Sequence, residues 1–259
     1  MDQMDEKRMA ASSSGRRIVV ALCGRRGAGK DAVAEMLARS SGYHPMKFAR
    51  PLKDVLSTLF GFGVEHVDGA LRDVVHPALG TTPRKIMQWF GTDVMQHALS
   101  EVAPGQRHRR FWAERLCESV RRLGPDARVV ISDMRFRHEL DTLREAFGVD
   151  NVVAVKVERR HAEGRVAYEA DDHESEASVD AIDADLILDN DGTVEHLDFA
   201  ASRLLRFGEK YDLSDGTTVT LVGARLGRLV VDRDGDRESV SVREWLAKTP
   251  VPAAMLLLA

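Results

Sequence analysis

Ile18-Val19-Val20-Ala21-Leu22-Cys23-Gly24-Arg25-Arg26-Gly27-Ala28-Gly29-Lys30-Asp31 reads as an apolar strand running into a glycine-rich turn that closes on a lysine. Glycines let the backbone turn its N–H groups inward on an anion, the following helix adds its positive N-terminal end, and Lys30 reaches the terminal phosphates. The P-loop pattern places Ser or Thr after the lysine as a hydroxyl ligand for magnesium, and this chain carries Asp31 there. The residues that follow, Asp31-Ala32-Val33-Ala34-Glu35-Met36-Leu37-Ala38, put apolar side chains at helical spacing among strong helix formers. Strand, glycine turn and helix therefore come in the order a phosphate site needs.

The rest of the chain extends this unit. With 259 residues, 44% hydrophobic and 30% charged, it is long enough for one sizeable α/β core and a small appendage. A net charge of −4 gives no bulk attraction to nucleic acid or to an anionic membrane, so a basic site has to be a local concentration of arginines suited to a small anionic ligand. Two distant cysteines, Cys23 and Cys117, form no disulfide framework and fit a reducing compartment. The acidic start Met1-Asp2-Gln3-Met4-Asp5 is followed by no apolar run before Ile18, which reads as a flexible tail over 1–16. No stretch has the length of a membrane span, and the expected location is cytoplasmic.

Strands and helices alternate. The patterns predict a strand at 43–49, a helix opening at Pro51, and irregular chain over 61–80. A helix capped by Thr82 with Pro83 in its first turn follows, interrupted at Gly91-Thr92-Asp93. Next come a helix over 111–123, a buried strand over 128–133, a helix over 139–147, and strands at 152–157 and 186–188. The turn Asn190-Asp191-Gly192 leads to a helix over 194–207. Uniformly apolar strands joined by helices imply a doubly covered parallel sheet of the P-loop NTPase type, helices on both faces and ligand beyond the carboxyl ends of the strands. This domain is expected over 17–207. Residues 208–259 change character: strand-like runs at 217–222, 228–231 and 239–242, with Asp234-Gly235 as a hairpin turn, predict a small C-terminal β extension.

Cations near the phosphate edge are Arg25, Arg26, Lys30, Lys53, Arg84, Arg135, Arg159, Arg160 and Arg165, some of them plain surface charge. Arg135 follows Asp133 just past a buried strand, with Glu139 one turn into the next helix; an anion, a magnesium ion or sugar hydroxyls could meet all three. The charged segment 158–176, carrying Arg159, Arg160, Arg165 and Glu176, is either a solvated loop or a lid closing arginines over a polyphosphate.

A family resemblance joins these residues. Gly24-x-Arg26-x-x-Gly29-Lys30-Asp31, Phe48-Ala49-x-Pro51-Leu52-Lys53, Met87-Gln88-x-x-Gly91-Thr92-Asp93, Phe111-Trp112, Ser132-Asp133-x-Arg135-x-x-x-Glu139, His173-x-Ser175-Glu176 and Asp189-Asn190-Asp191-Gly192 together resemble the phage-type deoxynucleoside monophosphate kinases, in order and spacing. The resemblance runs from about residue 17 to 206, and its most specific elements are Gln-x-x-Gly-Thr-Asp and Asp-x-Arg. Members of that family also carry aspartate after the P-loop lysine.

The resemblance implies transfer of the γ-phosphoryl group of ATP, with Mg2+, to the 5′-phosphate of a deoxynucleoside monophosphate (dNMP). On that template Gly27, Ala28, Gly29, Lys30, Asp31 and Ala32 hold the ATP phosphates. Lys30, Asp31, Asp133 and Arg135 form the catalytic set. Arg26, Lys53, Arg84, Arg135, Phe136 and Glu176 surround the acceptor; Gly91, Thr92 and Trp112 shape the nucleoside pocket; Asp133 and Glu139 hold sugar or base donors. Trp112 is otherwise a core residue, and Asp31 is either the metal ligand or only favours the helix N-terminus electrostatically. A homodimer follows from the resemblance alone. Animal-type phosphomevalonate kinases share the Gly-Lys-Asp loop, Pro-Leu-Lys and Asp-x-Arg but lack a comparable Gln-x-x-Gly-Thr-Asp helix. A non-catalytic ATP-binding module is the remaining alternative.

Overall fold

The computed structural model describes residues 16–103, 108–159 and 178–249. They form two compact units, one made of Met1–Pro45 with Val120–Ala259 and the other of Met46–Ser119.

The first unit is built on β1 (Ile18–Cys23), whose six residues are all buried. It sits at the centre of a five-stranded sheet ordered β2 (His44–Met46), β3 (Arg128–Ile131), β1, β4 (Val152–Glu158), β5 (Leu186–Asp189). β1 pairs in parallel with β3 on one side and β4 on the other, and β4 pairs in parallel with β5. Ile18, Val20 and Leu22 alternate along β1 with Val19, Ala21 and Cys23, and all six are buried, so both faces of the sheet are covered. After β1 the chain crosses to one side of the sheet, and from β4 onward it builds the other. The carboxyl end of β1 is thus the point where strand order reverses, the position at which open α/β sheets bind ligands.

Where the elements differ from expectation, local chemistry explains it. The second strand keeps only His44–Met46; it lies at the sheet edge, where Pro45, lacking an N–H, is tolerated. β3 stops at Ile131, leaving Ser132 and Asp133 in the loop beyond the sheet. The helix expected from residue 139 begins at Arg137 because Glu139, its third residue, reaches back to accept from the Phe136 N–H at 3.0 Å.

The C-terminal strands β6 (Lys210–Asp212), β7 (Thr218–Arg225), β8 (Arg228–Arg233) and β9 (Asp236–Ser241) form an antiparallel sheet in sequence order. Both β7–β8 and β8–β9 turn through two residues of positive φ, Leu226-Gly227 and Asp234-Gly235, the backbone a tight hairpin requires. The run expected as a strand over 239–242 ends instead in a helix, Val242–Lys248, with the Ser241 hydroxyl accepting from the Glu244 N–H. Val219, Leu221, Leu229, Val231 and Trp245 belong to the same buried cluster as Ile18, Val20 and Leu22. The Trp245 indole donates to the Arg203 carbonyl at 3.0 Å. These strands therefore complete the core behind the P-loop strand.

The second unit is helical. Its core is Leu56, Val67 and Ile86, drawn from Arg50–Phe60, Val64–Val67 and Pro83–Gln88, together with Phe62 of the connection between the first two. Residues 61–80, expected as irregular, contain the short helix Val64–Val67 and the 3-10 turn Ala70–Asp73. The α-helix expected to be interrupted at Gly91-Thr92-Asp93 ends at Gln88, and the chain stays helical through those residues as the π-helix Trp89–Ala98. A mid-helix glycine costs only about 1 kcal/mol, and Gly91 packs closely on Leu52, whose Cδ2 would lie 3.0 Å from a Cβ there.

Candidate active site

The loop between β1 and the helix Lys30–Ser41 is shaped by left-handed glycines, Gly24 at φ 142°, Gly27 at 79° and Gly29 at 104°. Two of them also have no room for a side chain. A Cβ on Gly24 would lie 2.3 Å from the Val157 carbonyl oxygen, and one on Gly29 2.4 Å from Asn190 Nδ2. Lys30 folds its ammonium back over the loop, donating to the carbonyls of Gly24 at 2.7 Å and Arg25 at 2.9 Å. The helix that follows has Gly29 as its N-cap residue, with no side chain to cap it. Its first-turn N–H groups add to the partial positive charge of the loop, an arrangement that takes an anion such as phosphate.

Asp31 lies exposed in the first turn of that helix, and the buried Ser132 donates to its Oδ1 at 2.7 Å. The structure thus joins the P-loop aspartate to the end of β3, next to Asp133. Beyond Asp133 the backbone is held by Glu139, whose Oε2 accepts from the Arg135 N–H at 2.8 Å as well as from Phe136. Burial pushes the Glu139 carboxyl up to about 8, against the pull of those two N–H groups. Glu139 therefore shapes the turn that presents Asp133 and Arg135. On the other flank, Asp180 bonds both Arg25 at 2.9 Å and Lys156 at 3.2 Å, and these two cations hold its carboxyl below the usual range. Cys23 is buried, with its thiol pushed up to about 11 by burial, and is no nucleophile.

Lys53, Arg84, Gly91, Thr92 and Trp112 belong to the second unit. Within it the Trp112 indole donates to the Gly91 carbonyl at 3.0 Å, tying the π-helix to Phe111–Arg122. Trp112 is half-buried and meets Phe111 edge-on at 4.9 Å, while Thr92 is exposed. Arg84 is paired with Asp73, its Nη2 lying 2.9 Å from Oδ2, and Lys53 with Asp68. The Thr82 hydroxyl accepts from Lys85 N at 3.3 Å, the cap that starts the helix carrying Arg84.

The structure therefore groups the named residues in two sets. Gly27, Ala28, Gly29, Lys30, Asp31 and Ala32 lie in the same unit as Arg26, Asp133, Arg135, Phe136 and Glu139; the five residues above lie in the other. Arg159 follows β4. Arg160, Arg165 and Glu176 lie outside the described residues. Sequence reasoning gave no role to Ser132, Asp180 or Asn190. Ser132 and Asn190 stand inside motifs already noted, but their partners are about a hundred or more residues away and only folding reveals them.

A parallel sheet with a P-loop at its switch point and a lysine closing the loop defines a nucleotide-phosphate site of the P-loop type. Residues 71–200 match the family model for deoxynucleotide monophosphate kinase. A protein of Acanthamoeba polyphaga mimivirus named "Putative deoxynucleotide monophosphate kinase" is 32% identical over 188 residues, 69% of this chain and 91% of that protein. The chain belongs to the deoxynucleotide monophosphate kinase family, and the family match makes it an ATP-dependent phosphotransferase. Among solved structures it is similar to a sugar kinase from Janibacter sp. HTCC2649, with a TM-score of 0.40 and 18% identity over 72% of this chain and 92% of that one. A gluconokinase from Sinorhizobium meliloti 1021 gives 0.40 and 14% over 72% and 91%.

Proposed function

We propose that this kinase transfers the γ-phosphoryl group of ATP to the 5′-phosphate of a deoxynucleoside monophosphate, giving the diphosphate and ADP for DNA synthesis. The observation that carries the reading is the left-handed glycine loop closed by Lys30, in a chain of this family. An acceptor phosphate oxygen forms the new P–O bond as the bond to the ADP oxygen breaks. Such a transfer needs positioning and charge neutralisation more than covalent chemistry. The N–H groups of 27–32 bind the donor phosphates, and Lys30 leaves its two carbonyls to neutralise the oxygens in transit. Arg26, Asp133 and Arg135 serve the transferring group. Lys53, Arg84, Gly91, Thr92 and Trp112 receive the acceptor nucleotide.

Magnesium fits the donor set. It is commonly bound by one or two carboxylates together with substrate phosphates, and Asp31 supplies an exposed carboxylate oriented by Ser132. When bound, the ion neutralises phosphate charge. Asp31 is its protein ligand in this reading, directly or through water.

The test is ADP formation from ATP with each deoxynucleoside monophosphate and with phosphomevalonate as acceptors. Turnover with at least one nucleotide and none with phosphomevalonate is expected; silence across the nucleotide panel would falsify the proposal.

A further inference from the structure

The loop after β5 returns to the P-loop from the far side of the sheet. Asn190, 7% exposed, donates from Nδ2 to the Ala28 carbonyl at 2.8 Å, a contact between residues 162 apart. Its own backbone is fixed, since its N–H donates to the Glu158 carbonyl at 2.7 Å and the next N–H, of Asp191, to Asp189 Oδ1 at 2.9 Å. The amide is thus held against the ends of β4 and β5. Ala28 is buried as well, so no bulk water replaces that donor.

We infer that Asn190 is the positioning residue of the donor-phosphate loop: by fixing the Ala28 carbonyl it aims the Gly29 N–H at the triphosphate. The assignment rests on the reading of ATP as donor. A peptide unit is planar, and in the trans form its C=O and N–H point in opposite directions; no peptide bond in the described chain is cis. Holding Ala28 C=O against Asn190 therefore turns the Gly29 N–H directly away from it. Gly29 completes the arrangement, because at φ 104° a Cβ would lie 2.4 Å from the same Nδ2. Only a glycine lets the amide approach its own peptide. The chemistry also selects asparagine: an ionised aspartate has no hydrogen to donate to a carbonyl and would set a negative charge behind the phosphates, and a serine is one atom too short to reach.

The test uses the full chain with Asn190→Ala and Asn190→Ser, both of which keep the backbone bond to Glu158. ATP affinity is measured by titration, inorganic tripolyphosphate serves as a competing probe without a nucleoside, and kcat and both KM values are measured at saturating co-substrate. Losing one hydrogen bond to a buried carbonyl is worth about tenfold in affinity. Both variants should bind ATP and tripolyphosphate about tenfold more weakly, with the acceptor KM unchanged. A role in holding the fold alone would lower the melting temperature without separating the two KM values. ATP and tripolyphosphate affinities equal to the parent's, or equal losses for donor and acceptor, overturn the assignment. So does failure of both variants to fold, which would make Asn190 a residue of the core. A parent that binds no ATP overturns the donor reading itself, and this assignment with it.

Discussion

In the unit that carries the P-loop, the polar atoms of the site are fixed by backbone geometry and buried partners. The glycine loop sits on the Val157 carbonyl, Asn190 holds Ala28, and Glu139 holds the N–H groups of Arg135 and Phe136. In Met46–Ser119, which we propose receives the acceptor, the cations are instead held by side-chain partners. Arg84 pairs with Asp73 and Lys53 with Asp68, and both aspartates are well exposed. A phosphate cradle made of amides is ready without rearrangement, whereas a paired arginine has to exchange or share its carboxylate to take a phosphate. The exchange would take place at cations that are largely covered, Lys53 at 14% and Arg84 at 25% exposure, facing accessible aspartates. In the proposed roles the amides of the donor loop are preorganised, whereas Lys30, Arg84 and Lys53 each have partners to exchange.

The largest expected effect breaks the buried half of the comparison. Trp245→Ala removes a side chain 2% exposed from the core behind β1 and should cost about 3–5 kcal/mol of stability in denaturant unfolding. The C-terminal strands and the P-loop sheet should unfold together; a separate early transition would show that they are independent. Lys30→Ala comes next. Removing the charge that we propose neutralises the transferring group should lower kcat on the order of a hundred- to a thousandfold, with a much smaller change in melting temperature, since the ammonium bonds carbonyls of a partly exposed loop.

Arg84→Ala tests the paired cations of Met46–Ser119. The acceptor KM should rise about tenfold while the KM for ATP stays level; equal changes in both would contradict the division of labour. For Asp31→Ala we expect a several-fold higher magnesium requirement in turnover assays, and an unchanged magnesium titration would leave Asp31 only an electrostatic role at the helix N-terminus.

The smallest effect concerns pH. With its carboxyl raised from 4.5 to about 8 in the folded state, Glu139 contributes its full stability below about pH 4.5, and that contribution is lost as pH rises through about 8. Glu139→Gln keeps an oxygen for the Arg135 and Phe136 N–H groups and cannot ionise. Its melting temperature should therefore depend less on pH across that window than the parent's; identical slopes would show that the buried carboxyl is not the titrating group.

The phosphate loop was legible because it is local: apolar strand, glycines, lysine and helix follow one another within a dozen or so residues, and each constraint acts on near neighbours. Two-residue hairpins were legible where the turn carries its usual residues, as at Asp234-Gly235. They were not at Leu226-Gly227, where leucine sits at φ 51° because strand pairing on both sides overrides its preference. The helix Val242–Lys248 and the π-helix Trp89–Ala98 were missed for a related reason. One starts at a single hydroxyl cap, and the other is tied to a distant helix through the Trp112 bond to the Gly91 carbonyl.

The sequence by itself determined where the glycine-rich phosphate-type loop lies and which lysine closes it, and its spaced motifs determined the family. Only the tertiary structure decided that Ser132 orients Asp31, that Glu139 holds a turn, that Asn190 fixes the Ala28 peptide, and that the last strands share the core of the first. The reason is physical. Each of these is a single polar bond or a packed apolar face joining segments far apart in the chain, and no local preference for a backbone angle or a face records the partner that folding brings to it.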